Sequence, residues 1–181
     1  MSKKLSESDI KSRLRRIPEF KGVVFWDITP ILKDKRLFKE TIKRLADHYR
    51  DKKIDLVVSN EARGFIIGAP LAYELGAGFI PIRKKGKLPH KCTALTYQKE
   101  YESDTIEIHE DAVEPGERVL LVDDLLATGG TVKANIELIE KLGGEIVGIG
   151  FLIELDYLNG RKAIGDKYDI FSVIHCSTTN S

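Results

Sequence analysis

Five short apolar runs, set among stretches of helical periodicity, constrain this chain more than any other feature. They are Ile54 to Ser59 (IDLVVS), Gly78 to Ile82 (GFIPI), Arg118 to Asp124 (RVLLVDD), Ile146 to Leu155 (IVGIGFLIEL) and Asp169 to Ile174 (DIFSVI). Strands without polar alternation must be covered on both faces, and a parallel sheet flanked by helices covers them. Before and between the runs, LFKETIKRLADHYR places Phe38, Ile42, Leu45 and Tyr49 on one helical face, with Leu37 at its edge. GFIIGAPLAYELG and TVKANIELIEKLGG predict two further helices, each ending at glycine. The predicted fold class is therefore α/β.

One core accommodates the whole chain. Its 181 residues suit a single domain, and 42% of them are hydrophobic. Twenty-nine Lys and Arg against twenty-eight Asp and Glu leave a net charge of +1, which argues against general affinity for nucleic acid or membranes. Cys92 and Cys176 form neither a metal-ligand spacing nor a disulfide framework. The opening MSKKLSESDIKSRLRRI lacks a signal-like apolar stretch, and no run approaches the roughly 18 apolar residues of a membrane span. The expectation is a reduced, soluble, cytoplasmic protein whose polar end STTNS is frayed.

One region breaks the alternation of strand and helix. CTALTYQKEYESDTIEIHEDAVEPGERV, from Cys92 to Val119, is charged, lacks a helical stripe and alternates around Thr105 to His109. It predicts an antiparallel flap carrying a long exposed loop, a form that lids take.

The stretch RVLLVDDLLATGGTV, Arg118 to Val132, carries the chemistry. In an open parallel sheet, ligands sit beyond the carboxyl ends of the strands, where Asp123 and Asp124 stand. Gly129 and Gly130 allow the following ATGGT to wrap closely. A helix from about Thr131 then presents N–H groups and a partial positive charge, so the junction is a phosphate cradle. It is neither G-x-x-x-x-G-K-[ST] nor G-x-G-x-x-G. A carboxylate beside a phosphate repels it, so the two acids must face sugar hydroxyls or a cation. Hydroxyls and a phosphate side by side describe a sugar 5-phosphate.

VLLVDDLLATGGT resembles the phosphoribosyl-pyrophosphate (PRPP) motif of type I phosphoribosyltransferases. GVVFWDITPIL (Gly22 to Leu32), EARGFIIGAPLA (Glu61 to Ala72), PIRKKGKLP (Pro81 to Pro89) and YQKEYESDTIEIHEDAV (Tyr97 to Val113) are similar to segments of the adenine phosphoribosyltransferase family, in the same order. The resemblance runs from about Phe20 to Leu155. It implies one domain over residues 1–181, with a hood segment at about 1–33 and a flexible lid at about 92–112. The implied reaction is transfer of 5-phosphoribosyl from PRPP to N9 of adenine, giving AMP and pyrophosphate with Mg2+, by a homodimer.

The resemblance also assigns residues. Asp123 and Asp124 would hold the ribose hydroxyls, with either reaching magnesium through water. Ala127, Thr128, Gly129, Gly130 and Thr131 would hold the 5-phosphate. Arg63 would meet the pyrophosphate or the base pocket, next to a cis peptide near Glu61–Ala62. Arg83, Lys84 and Lys87 would grip pyrophosphate, Arg83 in the neighbouring subunit's site. Phe25 would stack on the purine while the main chain at Val24 and Trp26 reads its edge. Glu100 would handle the N9 proton, and Tyr101 would close the lid. His90 and His109 read as surface or packing residues. Trp26 departs from the family, in which many members carry a basic residue there, and this keeps an oxopurine substrate (hypoxanthine, guanine or xanthine) as the alternative. A PRPP-sensing regulator is the remote alternative, since about twenty residues before GVVFWDI are too few for a DNA-binding module.

Overall fold

The computed structural model describes residues 5–20, 23–98 and 103–178. In chain order its elements are α1 (Glu7–Lys11), β1 (Arg15–Phe20), β2 (Val23–Asp27), α2 (Thr29–Lys33), α3 (Lys35–Tyr49), β3 (Leu56–Asn60), α4 (Arg63–Leu75), β4 (Gly78–Lys84), β5 (Cys92–Gln98), β6 (Ser103–His109), β7 (Arg118–Leu126), α5 (Gly130–Lys141), β8 (Glu145–Leu155), α6 (Gly160–Ile164) and β9 (Ile170–Cys176). All five apolar runs are strands of one seven-stranded sheet, ordered β5-β6-β4-β3-β7-β8-β9. The pairings β4-β3-β7-β8-β9 are parallel. Helices on both faces bury two apolar clusters, one beneath α3 and α4 and one beneath α5.

The strand order creates a crevice. From β3 the chain turns to β4 on one side, and later β7 enters on the other, so the winding direction reverses between β3 and β7. Ligands of open α/β sheets bind at such reversals. Pairing of β3 with β7 stops at Ser59 opposite Val122, whereas β7 continues along β8 to Leu126 opposite Glu154. From Asp123 onward, β7 therefore has a strand neighbour on one side only. The predicted strand ended at Asp124; the long β8 carries β7 two residues further.

The flap is a regular antiparallel pair, with β5 matching β6 from Cys92 opposite His109 to Gln98 opposite Ser103. In α3 the buried face is Leu37, Thr41, Ile42, Leu45, Ala46 and Tyr49, so Leu37 lies inside and Phe38 at the margin, the reverse of the periodicity reading. Asp34 caps this helix, accepting from the N–H of Arg36 at 2.9 Å. The N-terminal segment adds an antiparallel hairpin, β1 with β2, which brings Phe25 opposite Ile17 and Trp26 opposite Arg16. The Glu61–Ala62 peptide is cis, as the resemblance led us to expect.

Candidate active site

A cavity of about 330 Å³ occupies the crevice between β3 and β7. Its walls come from the turn after β3 (Asn60 to Arg63), the segment Asp123 to Val132, Lys84 at the end of β4, and Tyr97, Asp104 and Ile106 of the flap. Residues of Arg118 to Thr131 that were read as one motif thus meet residues from four other segments.

The floor is acidic. Val119 to Val122 are buried in the sheet, and the strand then delivers two carboxyls to the cavity. Asp123 is partly open to it, and Asp124 is 5% exposed. The N–H of Asp124 donates to Asp123 Oδ1 at 2.9 Å, and Arg63 Nε lies 2.8 Å from Asp124 Oδ2. These contacts do not compensate for burial. Desolvation, then the charge of its neighbour, pushes Asp123 well above the ordinary carboxylate range. Desolvation also raises Asp124, against the opposing charge of Arg63. The pair is short of hydrogen-bond donors.

Beside the acids is a surface built from N–H groups. Gly129, with φ at 87°, is the N-cap residue of α5 and provides no side-chain cap. The first turn of α5 contains no acid. Its amides at Gly130 to Val132 line the cavity, where the helix dipole favours an anion. The loop Ala127–Gly129 packs against α6: a Cβ placed on Gly160 would sit 2.2 Å from the carbonyl oxygen of Ala127. Gly160 is a site-shaping residue that the motif reading missed, because it lies on a separate element.

Arg63 joins the cavity to the hood. Its guanidinium carbon is 4.9 Å from the centroid of the Phe25 ring, while its Nε meets Asp124. Phe25 is half-buried and packs against Phe20 at 5.2 Å. Trp26, the next residue on the strand, faces the opposite way and is 5% exposed within the core. Its side chain does not face Arg63, so its departure from a basic residue leaves only its main chain to meet a ligand.

The cations of the predicted pyrophosphate grip are divided between the cavity wall and Glu61. Lys84 lines the cavity, with Nζ 3.4 Å from Asp104 Oδ2. Arg83 and Lys87 do not line it; both hold Glu61, at 2.5 Å from Arg83 Nε and 3.0 Å from Lys87 Nζ. The N–H of Lys84 donates to the same carboxylate at 3.1 Å. Burial pushes Glu61 up, but these three donors outweigh it and hold the group below the usual glutamate value. Glu61, absent from the predicted set, organises the cations. Tyr97 was also missed: its hydroxyl stands 3.2 Å from Thr131 Oγ1. Glu100 and Tyr101 lie outside the described residues. His90 and His109 pack edge to face at 5.9 Å, away from the cavity walls.

The donor set suits a phosphorylated sugar. Raised acids next to an uncapped helix start offer acceptors for hydroxyls and donors for a phosphate within one cavity. The same acids suit magnesium, since a cation favours the charged form that burial penalises in both. Among the described residues, no helix is long and apolar enough to cross a membrane.

Residues 29–180 match the phosphoribosyl transferase domain family. The adenine phosphoribosyltransferase of Acidobacterium capsulatum is 55% identical over 170 residues, covering 93% of this chain and 93% of the relative. The crystal structure of adenine phosphoribosyltransferase from Thermoanaerobacter pseudethanolicus superposes with a TM-score of 0.91 at 51% identity, over 94% of this chain and 100% of that one. That of Saccharomyces cerevisiae, complexed with an imino-altritol bisphosphate and adenine, gives 0.85 at 39% identity, over 93% and 98%. The strand reversal, the acid pair and these likenesses agree: the chain belongs to the adenine phosphoribosyltransferases, the purine-salvage transferases of the phosphoribosyltransferase family.

Proposed function

We propose that the cavity between β3 and β7 is where this chain joins adenine to the 5-phosphoribosyl group of PRPP, with the residues in the following roles. The observation that carries the assignment is the acid pair, buried and short of donors, next to an anion-seeking helix start. Ribose hydroxyls donate to Asp123 and Asp124, and the 5-phosphate accepts from the amides and hydroxyls of Ala127, Thr128, Gly129, Gly130 and Thr131. Once the sugar occupies Asp124, Arg63 is released from its ion pair to meet the pyrophosphate. Phe25 stacks on the purine, and main-chain groups of Val24 and Trp26 read its edge.

Charge moves in two directions during transfer. The bond from C1′ to pyrophosphate lengthens and C1′ gains oxocarbenium character, while the departing oxygens gain negative charge. Lys84, with Arg83 and Lys87 on their Glu61 mount, offsets that charge. Adenine must lose its N9 proton as the new bond forms, and Glu100 accepts it. Tyr101 closes the lid against water. Asp123 or Asp124 would hold magnesium through water when it arrives with PRPP, and the ion would supply positive charge against the pyrophosphate.

The chain acts as one domain, with a hood at about 1–33 and a lid at about 92–112, and as a cytoplasmic homodimer. An apolar stripe on α4 supports self-association: Ile66 is 42% and Tyr73 89% exposed, with Ala69 and Pro70 between them at helical spacing. The Arg83 guanidinium lies 5.9 Å from the Phe65 ring on the same helix, which supports a role for it in the partner's site.

The test is product formation from PRPP and magnesium with adenine, hypoxanthine, guanine and xanthine assayed separately. AMP from adenine alone is the expected result. Product from an oxopurine would move the base assignment, and PRPP binding without any product would point to a sensor.

A further inference from the structure

The geometry points to Tyr97 as a positioning residue for the 5-phosphate, acting through Thr131; this rests on the reading of Ala127 to Thr131 as the phosphate cradle. Tyr97 is on the edge strand β5, where Thr93, Leu95 and Tyr97 face inward and Ala94, Thr96 and Gln98 outward. Its ring packs with the apolar cluster beneath α5, which includes Val132 and Ile136. That packing brings the phenol to the start of α5, where its oxygen lies 3.2 Å from Thr131 Oγ1, and both residues line the cavity.

Two hydroxyls in contact share a single hydrogen bond, and either can donate. A phosphate dianion accepts only, so it claims the proton of Thr131. The lone pairs of Thr131 Oγ1 then face Tyr97, whose O–H donates to them. The result is a two-link relay from Tyr97 to Thr131 to phosphate, in which each bond polarises the next. The present 3.2 Å is longer than the roughly 2.7–2.8 Å typical of O–H···O bonds, so the contact has room to tighten when the anion fixes its direction.

Tyr97→Phe keeps the ring and removes only the hydroxyl. The relay predicts a KM for PRPP raised about tenfold, with the KM for adenine unchanged, and a similar weakening of ribose 5-phosphate binding measured by calorimetry. Thr131→Ser keeps the relay and should bind normally; Thr131→Val breaks it, and adding Tyr97→Phe to Thr131→Val should weaken binding no further. If Tyr97→Phe leaves both PRPP and ribose 5-phosphate affinity intact while Thr131→Val weakens them, the cradle stands and the relay is wrong. Equal, additive losses from the two substitutions would likewise overturn it. Normal affinity in Thr131→Val would instead remove the cradle assignment itself.

Discussion

Two acidic positions, on adjacent strands of the same sheet, have opposite fates. Glu154 of β8, opposite Leu126 of β7, is 4% exposed and fully supplied with donors. Arg161 reaches it through Nε at 3.0 Å and Nη2 at 2.6 Å, and Ser172 through Oγ at 2.7 Å. Burial pushes its carboxyl up, yet these donors bring it below the usual value. Asp123 and Asp124, three and two residues before Leu126 on β7, are raised instead. Folding supplies one carboxylate with everything it needs and leaves the other pair in want. A buried charge that the protein does not compensate marks the place where a ligand is expected to do so. Glu154, Asp156 and His175 lie close enough together to suggest a metal site, but Glu154 already holds Arg161 and Ser172, which makes that cluster structural.

The comparison can be broken by mutation, beginning with the largest effect. Asp124→Asn should raise the KM for PRPP about 10- to 100-fold through the lost charged acceptor, with no loss of thermal stability. An unchanged KM in steady-state kinetics would remove Asp124 from ribose binding. Gly160→Ala places a methyl against the Ala127 carbonyl, which cannot yield without moving the cradle. It should cost about 1–3 kcal/mol in denaturant unfolding and weaken PRPP binding as well.

Glu154→Gln belongs to the other side of the comparison. It should lower stability by about 1 kcal/mol, because the Arg161 side chain is 42% exposed and solvent offsets part of the loss, while the KM for PRPP stays the same. The same pair sets a pH dependence. A carboxyl depressed in the folded state contributes stability above its unfolded value of about 4.3, and that contribution is lost as pH falls through the lower folded value. Unfolding midpoints from neutral pH down to about pH 3 should therefore show a steeper acid loss in the parent than in Glu154→Gln. The smallest effect has the opposite sign: Asp123→Asn removes a poorly solvated charge and should stabilise the empty protein by about 0.5 kcal/mol at neutral pH while weakening PRPP binding.

Much of this was legible in the chain. Short apolar runs with helical patterns between them mark doubly covered strands, and Asp-Asp followed by small residues at a strand-to-helix junction suits a sugar-phosphate ligand. The order of the strands was not legible, because the reversal between β3 and β7 depends on which neighbours pair. The role of Glu61 was hidden for a similar reason: its partners Arg83 and Lys87 are 22 and 26 residues away. Neighbouring residues of a strand face opposite ways, but nothing in the string says which of Phe25 and Trp26 faces the core. Leu37 turns inward in place of Phe38 because it packs into the cluster beneath α3, a contact that periodicity within the helix does not show.

The most direct test follows the acid pair by carbon-13 NMR of labelled aspartate carboxyls, titrated with pH in the empty protein and again with PRPP and magnesium. The account predicts a pair that titrates above the ordinary aspartate range when empty and falls back to or below it once ribose hydroxyls and the cation are in place. Ordinary titration in the empty protein, or a raised pair that PRPP leaves unmoved, would contradict it.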